Sequence, residues 1–201
     1  MSIDDEYRPV KFLDRLEGNN HIVLLYDDEK YADMIIARYF LNGLEKGESC
    51  IFFTADDPEA VEGRLAAQGI EVELYKKKNS LRIFCIERSD ENKHDFLATL
   101  KRIRAEATKG MKPPYRFAGR TIIDTTTVEG MNLGMDLERV GHEHFSEFDN
   151  SQLCFYDISG IEPTQRDKWI SQLLKNHHHV VYASSPDKAV AFETDLLVED
   201  S

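Results

Sequence analysis

Apolar and mixed segments alternate along this chain. His21-Ile-Val-Leu-Leu-Tyr26 is a continuous apolar run, the pattern of a strand buried on both faces. Similar runs recur at Cys50–Thr54, Leu81–Ile86, Leu153–Tyr156 and Val180–Tyr182, with Arg120–Asp124 as a shorter strand candidate. Between them the apolar residues fall at helical spacing. Ile36, Phe40 and Leu44 stand four apart over residues 29–46, with Gly43 and Gly47 near the helix end. Val61 and Leu65 follow Asp56-Asp-Pro58-Glu59, which reads as an N-cap with proline in the first turn. Phe96, Leu100, Ile103 and Ala107 line one face of a helix over residues 91–109. The spacing returns in Leu133, Leu137, Val140, His144 and Phe148, and again in Trp169, Ile170, Leu173 and Leu174.

Strands separated by helices of this length predict βαβ units and an α/β domain with a mostly parallel sheet covered on both faces. Val10, Leu13 and Leu16 make residues 1–20 a helical lead-in, residues 21–188 form the α/β domain, and the acidic residues 189–201 are a last strand (Leu196–Val198) or a tail.

Charge narrows the function classes. Twenty-five Lys and Arg against thirty-seven Asp and Glu give a net charge of −12 in 201 residues. Such a balance argues against direct nucleic-acid binding, which relies on cations set against phosphates, and against an anionic membrane surface. No run approaches the ~18 apolar residues of a membrane span, and the first residues lack a cationic start followed by an apolar stretch. Cys50, Cys85 and Cys154 form no CxxC pair, and each sits in an apolar run where a free thiol packs as a small hydrophobe. A reducing, cytoplasmic setting is expected.

In an open α/β sheet, ligands bind beyond the carboxyl ends of the strands. Those ends carry Tyr26-Asp27-Asp28, Thr54-Ala55-Asp56, Glu87, Asp124-Thr125, Asp157-Ile-Ser159 and Ser184-Ser185. Tyr26, Asp27, Asp28, Thr54, Asp56, Asp124, Asp157 and Ser159 are therefore the candidate ligand-binding residues. A competing reading makes each of these a helix cap. The glycine-rich segment around 125–135 is the candidate lid. The first strand-to-helix turn, Tyr26-Asp-Asp-Glu-Lys30, has no glycine and three carboxylates, and no G-x-x-x-x-G-K-[ST] exists in the chain. The Walker A motif is absent, which excludes ATP hydrolysis by the usual route.

The histidines support no metal assignment by spacing. His142 and His144 on one helix point roughly 200° apart. His144 falls on the apolar stripe, and His142 stands four after Glu138 as a surface ion pair. His177-His-His179 joins a helix to the last strong strand, where His178 or His179 caps helix-end carbonyls. His21, at the opposite end of its strand from the expected ligand edge, reads as structural. No catalytic residue, metal ligand or cofactor is assigned.

His21-Ile-Val-Leu-Leu-Tyr26, Phe40-Leu-Asn-Gly-Leu-Glu-Lys-Gly-Glu48-Ser-Cys50, Leu153-Cys-Phe-Tyr-Asp157 and His177-His-His-Val-Val181 resemble the motifs of the MEDS family, a methanogen/methylotroph sensory domain. The family-motif residues are His21, Tyr26, Gly43, Gly47, Glu48, Cys154, Tyr156 and Asp157. A glutamate that the family places in the helix before Cys154 has three candidates here, Glu138, Glu143 and Glu147. The resemblance implies a three-layer RecA-like or KaiC-like core without a P-loop, and a sensory role in prokaryotic signalling with small hydrocarbon derivatives as ligands. A non-enzymatic sensor that binds a small molecule at the strand ends and signals to a partner protein is the first reading. A nucleotide binder without hydrolysis, with Arg120 or Lys30 on the phosphates, is a second. A metal-assisted hydrolase built on Asp27, Asp56 and Asp157 is a third, and a plain interaction protein, self-associating as a homo-oligomer, is a fourth.

Overall fold

The computed structural model describes residues 7–86, 96–121, 124–161 and 163–194. In chain order they form α1 (Arg8–Arg15), β1 (His21–Tyr26), α2 (Glu29–Glu45), β2 (Ser49–Thr54), α3 (Pro58–Ala67), α4 (Val72–Lys77), β3 (Leu81–Cys85), α5 (Phe96–Ala107), β4 (Tyr115–Gly119), α6 (Val128–Glu143), a 3₁₀ turn (Phe145–Glu147), β5 (Asn150–Asp157), α7 (Arg166–Lys175), β6 (His179–Ala183) and β7 (Val190–Glu193). The strands make one sheet of order β3-β2-β4-β5-β1-β6-β7. All pairings are parallel except β6 with β7.

Because side chains alternate faces along a strand, β1 feeds two cores. Ile22, Leu24 and Tyr26 point toward α1 and α2, in a cluster with Val10, Leu13, Ile35, Phe40, Phe52 and Phe155. Val23 and Leu25 point the other way and pack with Met131, Met135, Cys154, Tyr156, Trp169 and Leu173 beneath α6 and α7. The lead-in helix α1 belongs to the first core: Tyr7 is 3% exposed, and its hydroxyl donates to the Ser184 carbonyl at 2.6 Å and accepts from Ser184 N.

Several elements depart from the sequence pattern. The fourth strand is Tyr115–Gly119, one step before the expected Arg120–Asp124, because Tyr115-Arg-Phe-Ala-Gly pairs with both β2 and β5. The last strand is Val190–Glu193, antiparallel to β6, and the expected Leu196–Val198 lies outside the described residues. The short helix α4 had no periodic signal. The anticipated lid around 125–135 is chiefly the first turns of α6. There Thr127 accepts from Gly130 N, and Asp124 accepts from Thr126 N and from the hydroxyls of Thr126 and Thr127. By contrast, Asp57 caps α3 with Pro58 in the first turn, as the sequence indicated.

The end of α2 is held by a buried charge pair. Arg116 of β4 is 8% exposed; its Nε and Nη2 reach Glu48 at 2.7 and 3.1 Å, and its Nη1 donates to the Tyr39 carbonyl at 2.9 Å. A Cβ on Gly43 would stand 2.7 Å from Arg116 Nε, so only glycine lets the guanidinium lie across α2. Gly47, at φ +81°, supplies the left-handed residue that turns the chain from α2 into β2. Gly43, Gly47 and Glu48 therefore form a structural clasp.

Removing one partner of such a pair leaves a buried charge alone, at a cost of about 3–5 kcal/mol. Glu48→Ala is expected to destabilise the fold by that order in urea unfolding, whereas Glu48→Leu with Arg116→Met loses less than the single change. At the α6 start, hydrogen bonds from Thr127 and then Thr126 pull the Asp124 pKa down to about 2. A lowered folded-state pKa stabilises at pH above the unfolded value and loses that contribution as pH falls. Asp124→Ala should lower the urea midpoint at neutral pH, and the difference from the parent should fade between about pH 4 and pH 2.

Candidate functional site

Parallel pairing brings the carboxyl ends of β1, β2, β4 and β5 to one edge, and the candidate ligand-binding residues lie along it. Most of their polar groups already serve the turns they sit in. Asp28 caps α2 by accepting from Lys30 N at 2.9 Å. Asp157 accepts from Ser159 N and Oγ at 2.8 and 2.6 Å. Asp27 accepts from the Tyr182 hydroxyl at 2.7 Å and from Ser184 Oγ at 3.2 Å, and these bonds hold its carboxyl below the usual range. Asp124 closes the α6 turn described above. Tyr26 is buried, and its hydroxyl accepts from Arg120 Nη2 at 3.3 Å. The edge does not gather Asp27, Asp56 and Asp157 into a cation site: among the described residues, a different set of side chains supplies the one group with metal-ligand spacing.

Thr54 and Asp56 do face a cavity. Thr54 Oγ1 accepts from Asp56 N at 2.9 Å, and the two line a space of about 150 Å³ with Phe52, Arg64, Arg120 and Phe155. A second space of about 150 Å³ lies between α5, α6 and the sheet, lined by Leu100, Ile103, Phe117, Leu137, Thr121 and Gln152, and it is mainly apolar. Phe53, Ile86 and Arg120 border both. The exposed guanidinium of Arg120 lies 5.4 Å from the Phe155 ring centroid.

At the other end of β1 lies a cluster that the sequence spacing did not reveal. His21 Nε2, Glu138, Cys154 Sγ and His177 supply ligand-type atoms that all lie within 4.8 Å of one another, and all four residues are buried. His21 is on the face of β1 that carries Val23 and Leu25; Cys154 and Tyr156 are two apart on β5 and share that face. Glu138 comes down from α6 and is 1% exposed. One of its oxygens accepts from the Tyr156 hydroxyl, and Oε2 stands 3.7 Å from Cys154 Sγ. Among the three candidate glutamates, Glu138 is thus the one beside Cys154. Glu143 pairs with Arg139 and Glu147 with Lys101.

Several histidine assignments are corrected by this packing. His142 does not form a surface pair with Glu138; its Nδ1 faces His21 Nδ1 at 3.4 Å. His144 lies off the core and contacts Glu147 at 2.5 Å. The helix-end carbonyl of Leu173 is capped by His177, through Nδ1 at 2.8 Å, while His178 Nδ1 accepts from His21 N and His179 bonds Asn20. His21 was anticipated as structural from its strand end alone, and alternation with Val23 was the available clue that it points into the α6 core.

Burial sets the charge state of the cluster. It pushes the Glu138 carboxyl up to about 7 against the hydrogen bond from Tyr156, and it brings His177 down to about 3. Burial raises the Cys154 thiol, with Glu138 adding to the rise, and it lowers His21 well below the usual imidazole range. Each group is held toward its neutral form.

Sequence comparison adds the family. The family described as "MEthanogen/methylotroph, DcmR Sensory domain" matches residues 20–178. No curated protein matches the chain. Among solved structures, a Pyrococcus horikoshii OT3 protein from a structural study is 10% identical with a TM-score of 0.58, covering 92% of this chain and 91% of that one. A KaiC-like protein of the same hyperthermophilic archaeon is 14% identical with a TM-score of 0.60, covering 88% and 77%. An ATPase domain is 9% identical with a TM-score of 0.59, covering 89% and 75%. At these identities the structural likeness speaks to fold, and the fold is a RecA/KaiC-like one. The family match spans most of the chain, which belongs to the methanogen/methylotroph, DcmR-type sensory domain family.

Proposed function

We propose that this chain is a sensory module that takes a small, largely apolar organic molecule into the cavity between α5, α6 and the sheet, with the polar end of the molecule at Arg120. The observation that carries this reading is the pair of adjoining spaces that share Phe53, Ile86 and Arg120, one apolar and one polar. Membership of a sensory family supports it. A space of about 150 Å³ suits a molecule of benzene size and is small for a nucleotide. Thr54 and Asp56, expected at the ligand edge, line the polar half. The other edge carboxylates have local partners and serve chiefly to shape the rim.

Helix α6 is the natural reporter of occupancy. Leu137 lines the apolar cavity, while Val128 and Leu133 on the same helix are exposed at 44% and 38%. A ligand that displaces Leu137 shifts α6 and changes the surface it offers a signalling partner. Such a shift is limited to the difference in ligand affinity between the two states.

A panel of small halogenated, aromatic and alcohol probes, screened by thermal melting, checks the reading. A binder at a hundredfold excess over its Kd stabilises by about 2.7 kcal/mol, which raises Tm by several degrees. Ile103→Trp, which fills the cavity, should abolish that rise while the variant still melts cooperatively, and Arg120→Met should weaken binding of probes with a polar end. Failure of every probe to shift the parent, or full binding by the Ile103→Trp chain, would count against it.

A further inference from the structure

The geometry points to a zinc-type metal site in the buried cluster, with His21 Nε2, Glu138 Oε2, Cys154 Sγ and His177 Nε2 as its four ligands. This site is separate from the small-molecule cavity and does not depend on the sensory reading.

A tetrahedral ion bound about 2.0 Å from nitrogen and oxygen and about 2.3 Å from sulfur sets its ligand atoms roughly 3.3–3.6 Å apart. Here His21 Nε2 lies 3.6 Å from Cys154 Sγ and 3.9 Å from Glu138 Oε2. Cys154 Sγ is 3.7 Å from Glu138 Oε2, and His177 Nε2 is 3.6 Å from it. The two nitrogen–oxygen separations are too long for good hydrogen bonds, and the two sulfur contacts are weak hydrogen bonds at most. The four ligand atoms together lie within 4.8 Å of one another, a spacing that a small inward shift brings to that of a shared ion. An independent observation concerns His177. It is 1% exposed, and its Nε2 makes no hydrogen bond while aimed at Glu138. An unsatisfied buried nitrogen of this kind costs free energy that a metal bond would remove.

The outer partners are those that metal ligands need. His177 Nδ1 is fixed on the Leu173 carbonyl at 2.8 Å, which makes that nitrogen the N–H donor and leaves Nε2 with its lone pair. His21 Nδ1 has His142 at 3.4 Å. The second oxygen of Glu138 is held by Tyr156. Cys154 Sγ accepts from Gln152 Nε2 at 3.1 Å, and Gln152 Oε1 is in turn held by Arg104 at 2.6 Å. Such contacts orient ligands and tune their basicity. A thiolate and a carboxylate together neutralise a divalent cation, so loading exchanges two protons for the metal and leaves the site uncharged. Four protein ligands in a buried site leave no open position, which makes this a closed site that ties α6 to β1, β5 and the start of β6 rather than a catalytic centre.

The untagged full chain, stripped with a chelator and titrated separately with Zn²⁺ and Co²⁺, tests the assignment. Expected are one ion per chain by elemental analysis, a rise in Tm with Zn²⁺, and, with Co²⁺, strong tetrahedral d–d absorption with a thiolate-to-cobalt charge-transfer band. Cys154→Ser should lose that band, while Cys50→Ser and Cys85→Ser keep it. Should the Cys154 variant not fold, X-ray absorption on the Zn²⁺-loaded parent decides, with one sulfur neighbour near ~2.3 Å and three nitrogen or oxygen neighbours near ~2.0 Å. No ion taken up by the folded chain on titration, a metal shell without sulfur, or a band that survives in Cys154→Ser would each overturn the site.

Discussion

A carboxyl group cannot be buried without partners, and the placement of Glu138 obeys that constraint. Its side chain is 1% exposed yet contacts Tyr156 and Cys154 of β5, His21 of β1 and His177 at the entry to β6. Taking an acid out of water costs several kcal/mol unless it is neutralised or hydrogen-bonded. The contacts that meet this demand also fix where α6 lies on the sheet. With α6 fixed, Leu137 reaches the cavity beneath α5, and Val128 and Leu133 face outward. The polar cluster thus sets the position of the helix on which the sensory reading relies.

The chain keeps two polar devices on opposite faces of its sheet. Glu48 and Arg116 clasp the end of α2 on one side, where Gly43 makes room for the guanidinium. Glu138 and its neighbours occupy the other. The family-motif residues divide between these devices: Gly43, Gly47 and Glu48 belong to the clasp, and His21, Cys154 and Tyr156 to the cluster. Tyr26 and Asp157 stand apart at the carboxyl edge, where they pair in register. Residues that read as one family signature therefore do three separate physical jobs.

At the carboxyl edge, local chemistry competes with function. Asp28, Asp124 and Asp157 were legible both as site residues and as caps, because the same short carboxylate suits either task. Their hydrogen bonds to Lys30 N, Thr126 N and Ser159 N show the local use of these groups. Thr54 and Asp56 line a cavity, yet their pattern in the sequence was no stronger than that of the caps. The apolar cavity had no sequence signal, since Leu100, Ile103 and Leu137 come from helices whose apolar stripes look like ordinary core.

The sequence by itself determined the α/β class, the parallel strands other than the fourth, and the starts of α2 and α3. Those features depend on periodicities and caps that act within a few residues. It also carried the family, which matches residues 20–178. Only the tertiary structure decided that His21, Glu138, Cys154 and His177 meet, because they are separated by up to 156 residues and lie on different elements. Spacing along one helix could rule out a shared ion for His142 and His144, but it could not see across strands. Parallel pairing of β1 with β5 and β6 makes that junction, and no local pattern encodes it.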